Sequence, residues 1–334
     1  MNELLVKKQI KKLKKIPQSN GKIYFKRLEK RLKILITGSS GFIGTSFISK
    51  FYNDFDIISV IRDAKKKKKV QIVKKIKVET TLIEDKKIIK IIKKHKPAII
   101  LHLANFGGVI YCEKFSSDAF KVNVNGVFNV ISGCLQTNAK LIFISSREVY
   151  GETLKRLSFE EDTPHPNNVL GITKLLGENM IKYASKQFGL DFTIIRASNV
   201  YGINGIKLVV DKMINSALQK KKIYVNGGNQ RLNLIHVNDL LDVIKLVIQK
   251  EKLSSKQILN AGSNDNISVK ELAEYIAKTI SKDVKIEIKK PIKEETSNFK
   301  PSTKKLKKLL GFVPKVQLKK GINEIISNNK THVK

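Results

Sequence analysis

The chain has 334 residues, 41% of them hydrophobic, which is enough for one large domain or two modest ones with a sizeable core. Its 65 lysines and arginines against 29 acidic residues give a net charge of +36, a field that favours anionic partners. The excess is mainly Lys spread along the chain with Ile and Asn, and no basic motif is interleaved with aromatics for stacking on bases, so no nucleic-acid partner is expected.

Residues 1–32 form a basic N-terminal extension. "LLVKKQIKKLKKI" places Val6, Ile10 and Leu13 near one helical face among lysines, and Pro17 and Gly21 break the pattern. A basic amphipathic helix can lie on an anionic membrane. Here the apolar face is short, which favours a frayed tail or a helix docked on its own domain over membrane contact. From Lys33 the texture changes. "KILITG" predicts a strand and Phe42 to Phe51 a helix; "DIISVI" is a second strand, "KIIKIIKKHK" an amphipathic helix and "PAIILHLA" a buried strand. "FKVNVNGVFNVISGCLQ" predicts another helix and "AKLIFISS" another strand. A loop rich in Glu, Asp and Pro follows, then a helix from about Asn168 to Phe188 and the strand "DFTIIRA". Strands that are continuous apolar runs, alternating with helices, predict an α/β doubly wound parallel sheet over residues 33–200. Beyond Tyr201 the pattern loosens into a smaller C-terminal part, 201–334. It holds a helix near 207–220, the strand "KIYV", a strand running into a helix in "LNLIHVNDLLDVIKLVI", the strand "QILNAG", a helix "SVKELAEYIAKTI" with a Ser268–Glu271 capping box, the strand "VKIEIKK", and a short helix stopped by Gly311.

Cys112 and Cys134 fit no CxxC pattern and suggest a reducing compartment without disulfides. The five histidines lack ligand spacing, so no metal is expected. No apolar run approaches the ~18 residues of a membrane span, and no signal-peptide apolar region is seen, so the expected location is the cytoplasm.

"ITGSSGFIG" sets Gly38, Gly41 and Gly44 between a strand and a helix. Small residues let the backbone approach a pyrophosphate, and the helix start offers free N–H groups and a positive dipole. In this context the motif predicts dinucleotide binding by Gly38, Ser40, Gly41, Phe42, Ile43 and Gly44. The second strand ends in Arg62, 18 residues past Gly44, followed by Asp63 and Lys65 to Lys69. A guanidinium suits a 2′-phosphate, so NADP is the expected cofactor; Asp63 keeps NAD as the alternative.

These segments resemble the extended short-chain dehydrogenases/reductases, the NAD-dependent epimerase/dehydratase group acting largely on nucleotide sugars. The resemblance runs from about Lys33 to the C-terminus through "TGSSGFIG", "ILHLAN", "NVNGVFNV", "FISSREVYG", "PNNVLGITKLLGE", "IIRASNVYG", "LIHVNDL", "ILNAGSNDNISVKELA" and "KKLKKLLGFVP". It implies a Rossmann sheet holding a nicotinamide cofactor, a smaller substrate-binding domain interleaved with it, and a sugar-nucleotide substrate altered by hydride transfer. By the same resemblance Ala104 lies at the cofactor, Ser146 polarises the sugar oxygen, and Lys174 holds the nicotinamide ribose and lowers the pKa of a tyrosine. Asn123 lies near the site and Asn199 contacts the nucleotide diphosphate. Family members commonly dimerise through the helix ending near Gln136 and the one carrying Lys174, so a homodimer is expected.

Three positions depart from the family pattern. Leu170, one helical turn before Lys174, stands where the tyrosine would be and has no donor or acceptor. Glu148 matches the glutamate that removes a sugar C5 proton in the 4,6-dehydratase branch, and it is a candidate catalytic base; it reads equally as a loop residue bonding backbone. Arg147 stands where some dehydratases carry an acid. Leu232 occupies the place of a diphosphate-gripping arginine, with Arg231 adjacent: either Arg231 adapts, or the substrate lacks that contact. The expected function is an NAD(P)-dependent nucleotide-sugar epimerase/dehydratase-type oxidoreductase. The alternative is a catalytically impaired relative that binds NADP(H) or a sugar nucleotide as a sensor or partner subunit.

Overall fold

Strands without polar alternation leave neither face for water, and here they lie side by side under helices on both faces. The computed structural model describes residues 31–152, 157–205, 208–291 and 298–332; the basic segment 4–16, with its helical apolar face, lies outside them. The sheet strands are β1 (Lys33–Thr37), β2 (Asp56–Ile61), β3 (Lys77–Thr80), β4 (Ile99–His102), β5 (Lys140–Ser146), β6 (Phe192–Ala197) and β7 (Gln257–Ala261). They run in the order β7-β6-β5-β4-β1-β2-β3, all pairs parallel. The order reverses between β1 and β4, which makes the crevice past their carboxyl ends the place for a ligand. Successive residues of each strand enter opposite cores. Ile34, Ile36, Ile99, Leu101, Ile142 and Ile144 pack with α1 (Phe42–Phe51) and with a helix at Val237–Gln249. Leu35, Ile100, Leu141 and Phe143 face α2 (Lys87–His95), α4 (Gly126–Thr137) and α5 (Val169–Phe188). Between β4 and α4 lies a further short helix, α3 (Val109–Lys114).

The expected helix across "FKVNVNGVFNV" is not uniform. Ser116–Phe120 is α-helical, Lys121–Asn125 is a π-helical turn, and α4 follows. Such wide turns recur at functional sites, and Asn123 sits at the centre of this one.

In the C-terminal part, α6 (Val209–Lys220), α7 (Val237–Gln249), α8 (Val269–Ile280), α9 (Lys304–Leu310) and α10 (Leu318–His332) follow one another. A third core gathers Tyr201, Ile214, Ile223, Leu234, Leu272, Ile276, Ile322 and Ile325 over a parallel pair, Lys222–Asn226 with Lys285–Lys289. The Ser268–Glu271 capping box is present. Helix α10 went unanticipated. Its Gly321 is poor helix sequence, but a Cβ there would lie 2.7 Å from the Tyr201 hydroxyl, so the glycine permits the crossing.

A buried polar network ties α5 to the sheet. Arg196 on β6 donates to Glu178 from Nε at 3.0 Å and from Nη2 at 2.8 Å, and Ser145 donates to the same carboxylate at 2.6 Å. Arg196 Nη1 donates to the Tyr150 hydroxyl at 2.9 Å, which donates to Asn260 on β7 at 2.7 Å. Removing one partner of a buried ion pair strands the other charge. Glu178→Ala should therefore cost about 3–5 kcal/mol of stability in denaturant titration; a loss under about 1 kcal/mol, the level of an exposed pair, would show that the network is not load-sharing in this way.

Candidate active site

The site is built on loops that leave the carboxyl ends of β1, β4 and β5. After Thr37 the chain turns at Gly38, whose φ is +65°. A Cβ on Gly38 would lie 2.6 Å from the Ala104 nitrogen in the loop after β4, and one on Gly44 would lie 2.6 Å from Ser39 Cα. These glycines close the loops against each other, and no side chain caps the start of α1, where Gly41 is exposed at the N-cap. Ser40, Phe42 and Ile43 are half-buried around it. The uncapped N–H groups and the positive end of α1 fit a pyrophosphate. Ser39, which the sequence reading passed over, fixes the loop by bonding Ser59 Oγ at 2.6 Å and the Val60 carbonyl at 2.9 Å.

Thr37 and His102 are register neighbours on β1 and β4. Ala104 N–H donates to Thr37 Oγ1 at 3.3 Å, and Thr37 Oγ1 lies 2.7 Å from His102 Nδ1. Burial, aided by the Lys174 charge, pushes His102 down to about 3, so it is neutral; its Nε2 has no hydrogen-bond partner among the described residues. Arg62 is exposed just past β2. The Asp63 carboxylate turns inward on its own loop and accepts from Lys65 N–H at 2.9 Å.

Ser146 ends β5, and its hydroxyl oxygen accepts from Glu148 N–H at 3.2 Å, capping the turn Arg147–Tyr150. Glu148 is buried. Arg147 Nη2 lies 2.9 Å from its Oε1, and Asn168 Nδ2 donates to its Oε2 at 2.9 Å. The Arg147 guanidinium rests 5.9 Å from the Phe299 ring centroid. Asn168 also caps α5, accepting from Gly171 N–H at 2.8 Å. On α5, Lys174 is 7% exposed and donates to the Ile144 carbonyl at 2.9 Å, two residues before Ser146. Burial pushes its pKa down to about 8, against the pull of Cys112 and Glu178. Leu170, one turn earlier, is 8% exposed and packs with Cys112, Ala119, Phe106 and Val109. Among the described residues, no tyrosine lies on α5 before Tyr183, which is exposed beyond the site.

The structure thus joins Gly38, Ala104, Ser146, Glu148 and Lys174 around neighbouring loops. Asn123 spans the wall of this region: its carbonyl accepts from Phe106 N–H at 2.8 Å, and its amide donates to Thr173 Oγ1 at 3.0 Å. Both ends of its amide are thereby used to fasten the loop after β4 to α5. Asn199 lies just before the C-terminal part and Arg231 within it. Asn199 donates to the Asn233 carbonyl at 3.4 Å; Arg231 donates to the Asn266 carbonyl and lies 3.6 Å from Glu271, while Leu232 turns into the third core. Sequence reasoning missed Thr37, Ser39 and His102, whose only signal is polar residues at the ends of otherwise apolar strands.

A glycine cradle at the first βα turn of a doubly wound sheet, with Ser146 ending β5 and Lys174 bonded to the carbonyl two residues before it, defines a dinucleotide-binding α/β protein of the short-chain oxidoreductase type. The chain belongs to the NAD dependent epimerase/dehydratase family, whose sequence model matches residues 34–262. It is 29% identical over 315 residues to a UDP-N-acetyl-alpha-D-glucosaminuronate decarboxylase of Bacillus cytotoxicus, covering 88% of this chain and 96% of that protein. It is 27% identical over 313 residues to the human dTDP-D-glucose 4,6-dehydratase, covering 88% and 89%. In fold it is similar to the Thermotoga maritima UDP-glucose 4-epimerase solved with UDP-glucose (TM-score 0.83, 24% identity, 91% of this chain and 100% of that one). It is likewise similar to the Bacillus cereus UDP-glucuronic acid 4-epimerase solved with UDP-glucuronic acid and NAD (TM-score 0.84, 22% identity, 90% and 100%).

The cradle leaves no room for a side chain at Gly38. Gly38→Ala should weaken dinucleotide binding by about tenfold or more, which is 1.4 kcal/mol or more, in calorimetry; unchanged affinity would place the pyrophosphate elsewhere.

Proposed function

We propose that the chain is an NAD(P)-dependent oxidoreductase that alters the sugar of a nucleotide sugar, as an epimerase or dehydratase does. The observation that carries this reading is Lys174, buried on the Ile144 carbonyl near the end of β5, in a sheet whose first βα turn is a glycine cradle without a side-chain cap. Gly38, Ser40 and Gly41 to Gly44 would hold the pyrophosphate with backbone N–H groups, and Ala104 would line the cofactor's cleft. Bound there, the nicotinamide supplies reversible hydride acceptance.

The remaining chemistry belongs to side chains. Ser146 keeps its hydroxyl hydrogen for a sugar oxygen, because its own oxygen is the acceptor for Glu148 N–H. Glu148 is held by Arg147 and Asn168 in a fixed orientation, which suits a positioning role beside the substrate more than that of a mobile base. The exposed Arg62, with Asp63 engaged in its own turn, supports NADP as the preferred form. Arg231 of the C-terminal part and Asn199 just before it are the groups we assign to the nucleotide.

Incubated with a panel of UDP- and dTDP-hexoses and hexuronic acids, the protein should yield an altered sugar by mass spectrometry. The rate should be higher with NADP than with NAD and fall by about 10² or more in Lys174→Ala. Protein that binds dinucleotide yet alters no sugar across the panel would sink the reading.

The same reading includes a homodimer. Phe128 on α4 is 59% exposed, and Ile172, Leu176 and Tyr183 follow one another at helical spacing on the outer face of α5, Tyr183 being 62% exposed. Such a stripe across two neighbouring helices suits a four-helix contact between copies. Leu176→Asp should convert a dimer to a monomer in sedimentation velocity; a wild-type monomer at micromolar concentration would refute the assembly.

A further inference from the structure

The proposed reaction must move a hydroxyl proton as well as a hydride, and the groups around Lys174 differ in their freedom to do so. Leu170 has nothing to give. The Tyr150 hydroxyl is committed to Arg196 and Asn260, and burial pushes it up to about 12. The Glu148 carboxylate is held by Arg147 and Asn168. Cys112, on α3, is fully buried; its thiol donates to the Phe106 carbonyl at 2.7 Å and burial pushes it up to about 11. His102, on β4, is tied to Thr37 and held neutral. Lys174 is buried as well, but it spends only one of its three hydrogens, on the Ile144 carbonyl, and among the described residues no carboxylate is hydrogen-bonded to it to hold it charged. The Lys174 ammonium lies 5.0 Å from the Phe143 ring centroid, and His102 stacks on the same ring at 5.7 Å. The titratable groups that act on the ammonium from its own and neighbouring elements are Glu178 on α5, Cys112 on α3 and His102 on β4.

We propose that Lys174 itself is the proton acceptor and donor for the sugar hydroxyl, performing directly the transfer for which this helix offers no phenol. The proposal rests on the oxidoreductase reading above. In the forward direction the sugar C–H bond breaks and its electron pair leaves as hydride to the oxidised nicotinamide cofactor, which is reduced. The O–H bond breaks, its proton passes to the free amine of Lys174, and the C=O bond forms from the electrons left on oxygen. The ammonium of Lys174 returns the proton when the hydride is returned. The sign of the pH dependence follows: burial disfavours the ammonium, so the free amine appears as pH rises through about 8, and oxidation should accelerate over that range.

The test uses the full-length protein and the variants Lys174→Arg, Leu170→Tyr, both together, and Cys112→Ala. A guanidinium keeps the charge and the hydrogen bonds but cannot accept a proton. Lys174→Arg should bind the cofactor, measured by calorimetry, but lose about 10²- to 10⁴-fold in cofactor reduction by substrate. In the Leu170→Tyr background the arginine should be tolerated, because a phenol then carries the proton and needs only a nearby cation. Nuclear magnetic resonance titration of ¹³C-lysine-labelled protein without substrate should show a lysine near pH 8 that disappears in Lys174→Arg.

Retained turnover in Lys174→Arg alone would overturn the proposal, as would a Lys174 titrating with the surface lysines. Loss of turnover in Cys112→Ala with cofactor binding intact would give the role to the thiol instead. A wild-type protein that alters no sugar nucleotide would fail the oxidoreductase reading itself. That result is distinct from active wild type with an active Lys174→Arg, which would remove this proposal only.

Discussion

How closely α5 lies against the end of β5 decides where everything else in the site can be. A Cβ at Gly171 would collide with the Glu148 carbonyl, and one at Gly177 would come within 3.1 Å of the Phe143 ring. Between these two glycines, on the same helical face, Lys174 reaches the Ile144 carbonyl; one turn further, Glu178 receives Ser145 and Arg196. The helix is thus fastened at successive levels by close approach, by a lysine and by a carboxylate. A larger residue at either glycine would lift Lys174 from the strand, and the 148–150 turn, which rests on the start of α5, would move with it.

The chain's large positive charge does little of this work. Most lysines lie in water, where ion pairs are weak and salt screens them. The charges that matter are few and buried, and they differ by their partners. Arg196 is gripped by Glu178 through two donors, so its charge is secured. Arg147 is secured by Glu148. Lys174 has a carbonyl and an aromatic ring instead of a hydrogen-bonded carboxylate, and burial therefore tells against its charge. The same interior holds the guanidiniums of Arg147 and Arg196 and the amines of Lys140 and Lys174, and burial tells against the charge of both amines.

What was legible in the sequence is what local pattern encodes. Six of the seven sheet strands stood out as apolar runs, while β3, the short edge strand KVET, did not; α5 was legible by its length, the cradle by three glycines, and α8 by its capping box. What was not legible depends on pairs far apart in the chain. Thr37 meets His102, Ser39 meets Ser59, Asn123 meets Thr173, and Leu170 meets Cys112 only because the sheet order and helix packing bring them together. Helix α10 was hidden for the same reason: Gly321 weakens its local signal and makes sense only against Tyr201. Arg147 and Glu148 could be named as neighbours, but not as an ion pair with Asn168 completing it.

That ion pair also shows how the C-terminal part is coupled to the cofactor half. Phe299 is fully buried, stacked on Tyr150 with centroids 5.5 Å apart and lying beneath the Arg147 guanidinium. Beside it, Ser158 N–H donates to the Lys300 carbonyl at 2.8 Å and Ser302 N–H donates to the Ser158 carbonyl at 2.8 Å. The segment 299–302 therefore clamps the chain on both sides of residues 153–156. Through Tyr150 it reaches Arg196 and Glu178, and through Arg147 it reaches Glu148. The chain of contacts is short, from the Phe299 ring to the Arg147 guanidinium and from there to the Glu148 carboxylate.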